Sequence, residues 1–95
     1  MHVSVRQYRT SDIGEVARRV EGDDCFLGVV REVPGFTAYY LVDAGDGNLM
    51  TITVAEDQAG VEESVTKASE WVRDHAAELV EGTPTVTNGE VVANT

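Results

Sequence analysis

Hydrophobic residues recur along the chain with two different periods, and the change of period separates predicted strands from predicted helices. Near the N-terminus, Val3 and Val5 alternate with polar residues, which predicts a strand over residues 2–8. A helix is then predicted over residues 12–21 by four residues spaced along one helical face: Ile13, Val16, Ala17 and Val20. A second group with the same spacing follows: Phe26, Val29, Val30 and Val33.

These two apolar groups do not fit one straight helix that packs on one core. At 100° per residue they would face directions about 220° apart. We therefore predict two short helices, with a break at Gly22 and a restart capped by Asp23 or Asp24. Pro34 and Gly35 are expected to end the second helix.

The next segment has the composition of a β-hairpin. Aromatic and β-branched residues predict strands over residues 36–42 and 49–54. The segment between them contains the pair Asp46 and Gly47, which is typical of a tight hairpin turn.

A long helix is predicted over residues 58–81. Asp57 is the expected N-cap, and Gly82 and Pro84 are expected to end the helix. Its apolar positions form one stripe: Val61, Val65, Ala68, Val72, Ala76 and Leu79.

Residues 85–93 predict the last strand, with a bulge or kink at Gly89. The resulting element order is the βαββαβ arrangement of a ferredoxin-like α+β fold. We expect a four-stranded antiparallel sheet with helices on one face, forming a single domain over residues 1–95.

The predicted second strand is apolar on both of its sides, which predicts a homodimer. Its side chains divide between the faces: Phe36, Ala38, Tyr40 and Val42 on one, Tyr39 and Leu41 on the other. No predicted element remains to cover a second sheet face, and contiguous apolar patches usually mark binding surfaces. A second copy packed face to face would bury this surface. The alternative is an open sheet with solvated aromatic and threonine side chains.

Charge narrows the range of partners. The chain has 17 Asp and Glu against 7 Lys and Arg, a net charge of −10, which disfavours nucleic acids and anionic membranes. Lys67 is the only lysine, a composition that fits either a high-salt habitat or a GC-rich genome. There is no apolar run of about 20 residues, no signal-peptide pattern, and one cysteine, Cys25. A cytoplasmic location is therefore expected.

The segment over residues 31–43 contains Pro-Gly-Phe and then Tyr-Tyr-Leu. It resembles the antibiotic biosynthesis monooxygenase-like group of the dimeric α+β barrel superfamily, and the element order matches over nearly the whole chain. The resemblance implies a homodimeric barrel with a small apolar pocket between sheet and helices. Some members of that group oxygenate aromatic substrates without a cofactor, and some degrade haem. The haem-degrading members have an Asn on the first strand, and the predicted first strand of this chain has none. We therefore assign none of the catalytic residues of that family to this chain.

Two pairs of side chains are candidates for chemistry. Trp71 and His75 are neighbours at i and i+4 on the flank of the long helix stripe, where they line either a pocket mouth or a core edge. Arg6 and Tyr8 share a face of the first strand, where they meet either an anionic aromatic substrate or a dimer seam.

Tyr39 and Tyr40 point to opposite faces, so at most one of them lines a given cavity. Cys25 is expected to be a small buried hydrophobe. Two histidines and one cysteine do not give metal-ligand spacing, so neither a metal nor another cofactor is expected.

Three functions therefore remain open. The first is a cofactor-independent monooxygenase of phenol- or quinol-type substrates, with His75 and Arg6 as catalytic candidates. The second is a non-catalytic module that binds a small aromatic ligand. The third is a dimeric interaction unit without a notable pocket. For the first two, the expected ligand-binding residues are Trp71, His75, Tyr39 and Tyr8.

Overall fold

The computed structural model describes residues 1–21 and 26–94. Its elements are β1 (His2–Thr10), α1 (Ile13–Glu21), α2 (Phe26–Val30), β2 (Phe36–Gly45), β3 (Asn48–Ala55), α3 (Gln58–His75) and β4 (Val80–Glu90). The predicted ferredoxin-like α+β fold is confirmed. The predicted break at Gly22, the caps at Asp23 or Asp24 and the burial of Cys25 lie outside the described residues. No helix in the described ranges is long and apolar enough to cross a membrane.

The four strands form one antiparallel sheet in the order β2-β3-β1-β4. The central strands β1 and β3 pair without interruption from His2 opposite Ala55 to Arg9 opposite Asn48. Strands β2 and β4 are the edges. Since neighbouring side chains on a strand point to opposite faces, this register sorts the whole sheet into two sides.

The side of the sheet that faces the helices is unusually polar at its centre. Ser4, Arg6 and Thr10 of β1 are buried there, as are Thr51 and Thr53 of β3. We call the opposite side the open face; most of its apolar side chains are half-buried, and Tyr40 is 56% exposed. The apolar side chains of the open face are Val3, Val5, Ala38, Tyr40, Val42, Met50, Ile52 and Val54, and the register also places Gln7, Thr85 and Thr87 on it.

Each of the three helices contributes to the core on the polar side of the sheet. The buried cluster includes Val16 and Val20 from α1, Phe26 and Val30 from α2, and Ala68 and Trp71 from α3. Helix α3 is rotated relative to its predicted stripe. Trp71, predicted on the flank, is only 7% exposed, whereas Val72 is half-buried.

The predicted end of the long helix is wrong. Helix α3 ends at His75, a 3₁₀ turn follows at Ala77–Leu79, and β4 begins at Val80. Gly82, with φ of 69°, and Pro84 therefore lie inside β4. An edge strand tolerates both residues, because Pro lacks an N–H for the ladder and Gly allows the bend.

The bulge of β4 also lies elsewhere than predicted. Pairing with β1 is regular through Gly89, and the register shifts between Thr85 and Glu81, where β4 has extra residues around Gly82. A second register shift in β2, between Phe36 and Ala38, turns Phe36 towards the core instead of the open face.

The hairpin turn forms as its sequence predicts. Asp46 and Gly47 have φ of 54° and 79°, the left-handed pair that a tight hairpin turn with matching twist requires. The strands it joins are slightly longer than predicted. Helix α2 is shorter than predicted and ends at Val30, although Val33 beyond it is still buried.

We predict opposite effects from two Gly→Ala substitutions in helices. In Gly60→Ala, the new methyl group would overlap the carbonyl oxygen of Pro34 and lie 3.1 Å from Ala55 Cβ. The free energy of unfolding should fall by about 1–3 kcal/mol in urea titrations. In the matched control Gly14→Ala, the nearest atom is 3.8 Å away, and stability should rise by about 0.5–1 kcal/mol. Equal effects of the two substitutions would contradict the close approach at Gly60.

Candidate ligand pocket

A cavity lies between the sheet and the helices, next to the buried aromatic residues. Its cavity volume is about 30 Å³, and the cavity opens into a cleft that measures about 380 Å³ when open solvent is included. Arg6 and Tyr8 of β1, Tyr39 of β2, Phe26 of α2 and Trp71 of α3 line it, together with aliphatic side chains of α1 and α3. The enclosed part holds a species of about the size of water.

Arg6 is the polar centre of this cavity. Its side chain is 2% exposed, and it donates from Nε to Thr51 Oγ1 and from Nη1 to the Ser64 carbonyl oxygen, each at 3.2 Å. Both acceptors are neutral. Within residues 1–21 and 26–94, no carboxylate forms an ion pair with Arg6. Since a guanidinium has five N–H groups and stays charged in proteins, Arg6 presents a buried positive charge with donors to spare.

Aromatic rings surround this charge. The ring of Phe26 lies 5.8 Å from Arg6 Cζ, within cation–π range. Phe26 also contacts Tyr39 edge-on at 5.3 Å and Trp71 at 5.8 Å between ring centroids. The pocket therefore combines flat apolar walls with one fixed cation, a combination that suits a planar anion.

The two phenols of the pocket are held in their neutral form. Burial raises the pKa of Tyr39 to about 12, against smaller opposing effects of the Arg6 charge and of a hydrogen bond with Thr51. Burial likewise raises the pKa of Tyr8, and the Arg6 charge again opposes it. At neutral pH both phenols therefore keep their protons and neither neutralises Arg6.

His75 lies outside the cavity. Its ring packs 5.5 Å from that of Trp71, but its side chain is exposed and does not line the enclosed space. The nearby α1–α3 junction is tied by Arg19, which donates to the His75 carbonyl oxygen at 2.7 Å and to the Glu78 carboxylate. That hydrogen bond lowers the pKa of Glu78.

The structure thus places four of the sequence candidates around one cavity: Arg6, Tyr8, Tyr39 and Trp71. Arg6 and Tyr8 face the helices and not the open face. Two important residues were missed from the sequence, Phe26 and Thr51. The position of Phe26 in an apolar stripe indicated only core, and Thr51 was read only as part of a strand. Within the described ranges, no cluster of His, Cys, Asp or Glu is arranged to hold a metal ion.

No protein-family model matches the chain, and no curated protein matches it. Solved structures do match it over almost its whole length. The ActVA-Orf6 monooxygenase of Streptomyces coelicolor, in complex with nanaomycin D, is 18% identical, with a TM-score of 0.71 over 98% of this chain and 92% of that one.

Two further solved structures share this fold at low sequence identity. A variant of MhuD with two manganese protoporphyrin IX molecules per active site is 18% identical, with a TM-score of 0.75 over 100% and 98% of the chains. A dimeric ferredoxin-like protein from an uncultured marine organism is 6% identical, with a TM-score of 0.74 over 99% and 96%. Antibiotic biosynthesis monooxygenases share this fold as well, so the resemblance of the sequence is confirmed at the level of the fold.

We predict a loss of stability between pH 10 and pH 12 that depends on Tyr39. An unfolded chain releases the phenol proton near pH 10.0, whereas the folded protein holds it to about pH 12. Stability from this group is therefore complete below pH 10 and declines as the pH rises through this window, by up to about 2–3 kcal/mol.

Urea titrations at pH 9 and pH 11.5 measure this decline. Tyr39→Phe should remove most of it, while Tyr40→Phe, on the open face, should retain it. A decline of equal size in wild type and Tyr39→Phe would contradict the assignment.

Proposed function

We propose that the chain is a homodimeric, cofactor-independent monooxygenase that acts on a small phenol- or quinol-type substrate bound as its anion. The observation that carries this proposal is Arg6, a buried cation without a carboxylate partner in the described residues, on the wall of an aromatic cavity. The occurrence of this fold in monooxygenases supports the same reading.

Arg6 can supply what such a reaction needs from the protein. A phenol reacts with oxygen only after it loses its proton, and a fixed positive charge in an apolar site stabilises the phenolate. Thr51 and the Ser64 carbonyl hold the guanidinium in place before the substrate arrives, so little reorganisation is required. Phe26, Tyr39 and Trp71 provide surfaces for stacking on the ring.

The proposed reaction balances without any added reductant. The phenolate passes one electron to O₂, and the two radicals join through a C–O bond at a ring carbon that carries hydrogen. The hydroperoxide then loses water and leaves a quinone. One oxygen atom enters the product and the other becomes water, so one phenol consumes one O₂.

None of the described side chains that line the cavity is a strong base for removal of the phenol proton. Tyr8 and Tyr39 hold their protons at neutral pH and are poor bases. The charge of Arg6 lowers the pKa of a bound phenol, which eases loss of its proton to water. His75, at the exposed side of Trp71, remains the candidate acceptor through water.

The open face supplies the proposed dimer contact. Its eight apolar side chains lie on β1, β2 and β3, where Ile52 lies between Tyr40 on one neighbouring strand and Val5 on the other, and its polar side chains lie towards β4. The helices of the described residues pack on the other side of the sheet, and apolar patches of this kind usually mark protein contacts. A face-to-face pair of sheets buries both copies of the patch by one twofold axis.

The size of the cavity favours a second candidate function. An enclosed volume of about 30 Å³ is far below the roughly 300 Å³ of ordinary ligand sites. An aromatic ring enters only if lining side chains move outward, and Leu41 and Val72 are half-buried lining residues that could do so. A dimeric interaction unit without a bound ligand needs no such opening.

We predict that Ile52→Glu converts a dimer into a monomer. The substitution places a charge at the centre of the open face, where burial in a dimer would leave it unpaired. Sedimentation or light scattering should give twice the 10.3 kDa chain mass for wild type and about one chain mass for the variant.

Ser69→Glu adds the same charge on the exposed side of α3 and should remain dimeric. A wild-type protein that is monomeric at both low and molar salt would rule out the proposed assembly.

We predict oxygen consumption in a one-to-one ratio with substrate across a panel of naphthols and quinols, followed with an oxygen electrode. Arg6→Gln should lower kcat/KM by about 10²-fold, because it removes the charge that stabilises the anion. Arg31→Gln, which removes an exposed arginine, should have no effect.

His75→Ala should slow turnover less than Arg6→Gln, since His75 acts only through water. The reverse order would assign the anion to His75. Binding of the panel without oxygen uptake would support a non-catalytic binding module, and absence of both would support the interaction unit.

A further inference from the structure

Arg6 is buried, and none of the carboxylates in the described residues forms an ion pair with it. A charged group buried without a counter-charge is among the most costly arrangements in a protein. The two hydrogen-bond acceptors of Arg6, Thr51 and the Ser64 carbonyl, are neutral. Burial of a small anion beside the guanidinium lowers this cost.

We propose that the cavity beside Arg6 is a binding site for one halide ion, chloride in ordinary buffers. The site is built from a fixed cation that is 2% exposed and from the enclosed space that it lines. Acceptors in residues 1–21 and 26–94 use two of the five guanidinium N–H groups, and the others are available to an anion.

The dimensions of the cavity select the kind of anion. About 30 Å³ accommodates one monatomic ion, with the larger halides extending into the open cleft, but not phosphate or sulfate together with their hydration water. One guanidinium balances one negative charge, which also favours a monovalent ion. The remaining walls are mainly aromatic and aliphatic, so weakly hydrated halides should bind more tightly than fluoride.

The net charge of −10 disfavours the binding of anions elsewhere on the surface. Anions are repelled from the rest of the surface, and a halide that reaches Trp71 does so because of Arg6 rather than through a general basic patch. Salt weakens the repulsion, so entry of the ion should become easier as ionic strength rises.

The inference concerns the cavity proposed for the substrate, but it does not depend on turnover. If the oxygenase proposal is also correct, halide and phenolate compete for Arg6. Chloride would then inhibit with respect to substrate, and the site would respond to salt concentration.

The single tryptophan provides a direct test. Trp71 lines the cavity and is 7% exposed, so collisional quenching by iodide should be weak. At constant ionic strength, with fluoride as the balancing salt, we expect iodide to quench Trp71 along a saturating curve. Chloride at ten times its own Kd should move the midpoint of that curve about elevenfold higher.

Two variants serve as controls. Arg6→Met keeps an unbranched apolar chain but removes the charge, and its quenching should become shallow and linear. Arg31→Gln removes an exposed charge and should preserve the saturating curve. A linear response in wild type, or equal saturation in Arg6→Met, would overturn the proposal whether or not oxygen is consumed.

Crystals of wild type grown in bromide keep the test decisive if Arg6→Met does not fold. Anomalous scattering should show bromide within hydrogen-bonding distance of the Arg6 guanidinium. Density for water alone at that position would refute the site. Absence of oxygenase activity with bromide bound there would leave the halide site standing and remove only the catalytic proposal.

Discussion

A guanidinium buried on a central strand is the constraint on which the rest of this structure depends. Arg6 lies between the sheet and the helices and is 2% exposed. The guanidinium donates hydrogen bonds to two neutral acceptors, Thr51 and the Ser64 carbonyl, and it lies over the ring of Phe26. The cavity borders this group, so whatever occupies it meets a positive charge with little water to screen it.

The same constraint links the pocket to the proposed assembly. Side chains on a strand alternate between faces, so a strand that directs Arg6 and Tyr8 towards the helices must direct Val3 and Val5 away from them. The polar interior and the apolar open face are therefore two consequences of one alternation. A second copy that covers the open face would allow the interior to remain polar.

Much of the fold was predictable because its signals are local. The hairpin turn at Asp46 and Gly47 depends on the backbone preference of adjacent residues, and it forms as predicted. The end of α3 was misplaced because Gly82 and Pro84 usually stop a helix, yet both are also tolerated by an edge strand. Which of these roles applies depends on strand order, a property of the whole sheet.

Several residues of the candidate pocket could be predicted from the sequence, but their arrangement in space could not. By itself, the sequence determined the periods of strands and helices and the set of side chains that share each face, because these follow from backbone repeats. Only the tertiary structure decided which face the helices cover, how far α3 rotates to bury Trp71, and that His75 lies outside the cavity. A period of two is the same whichever side is buried, so packing between distant segments had to make that choice.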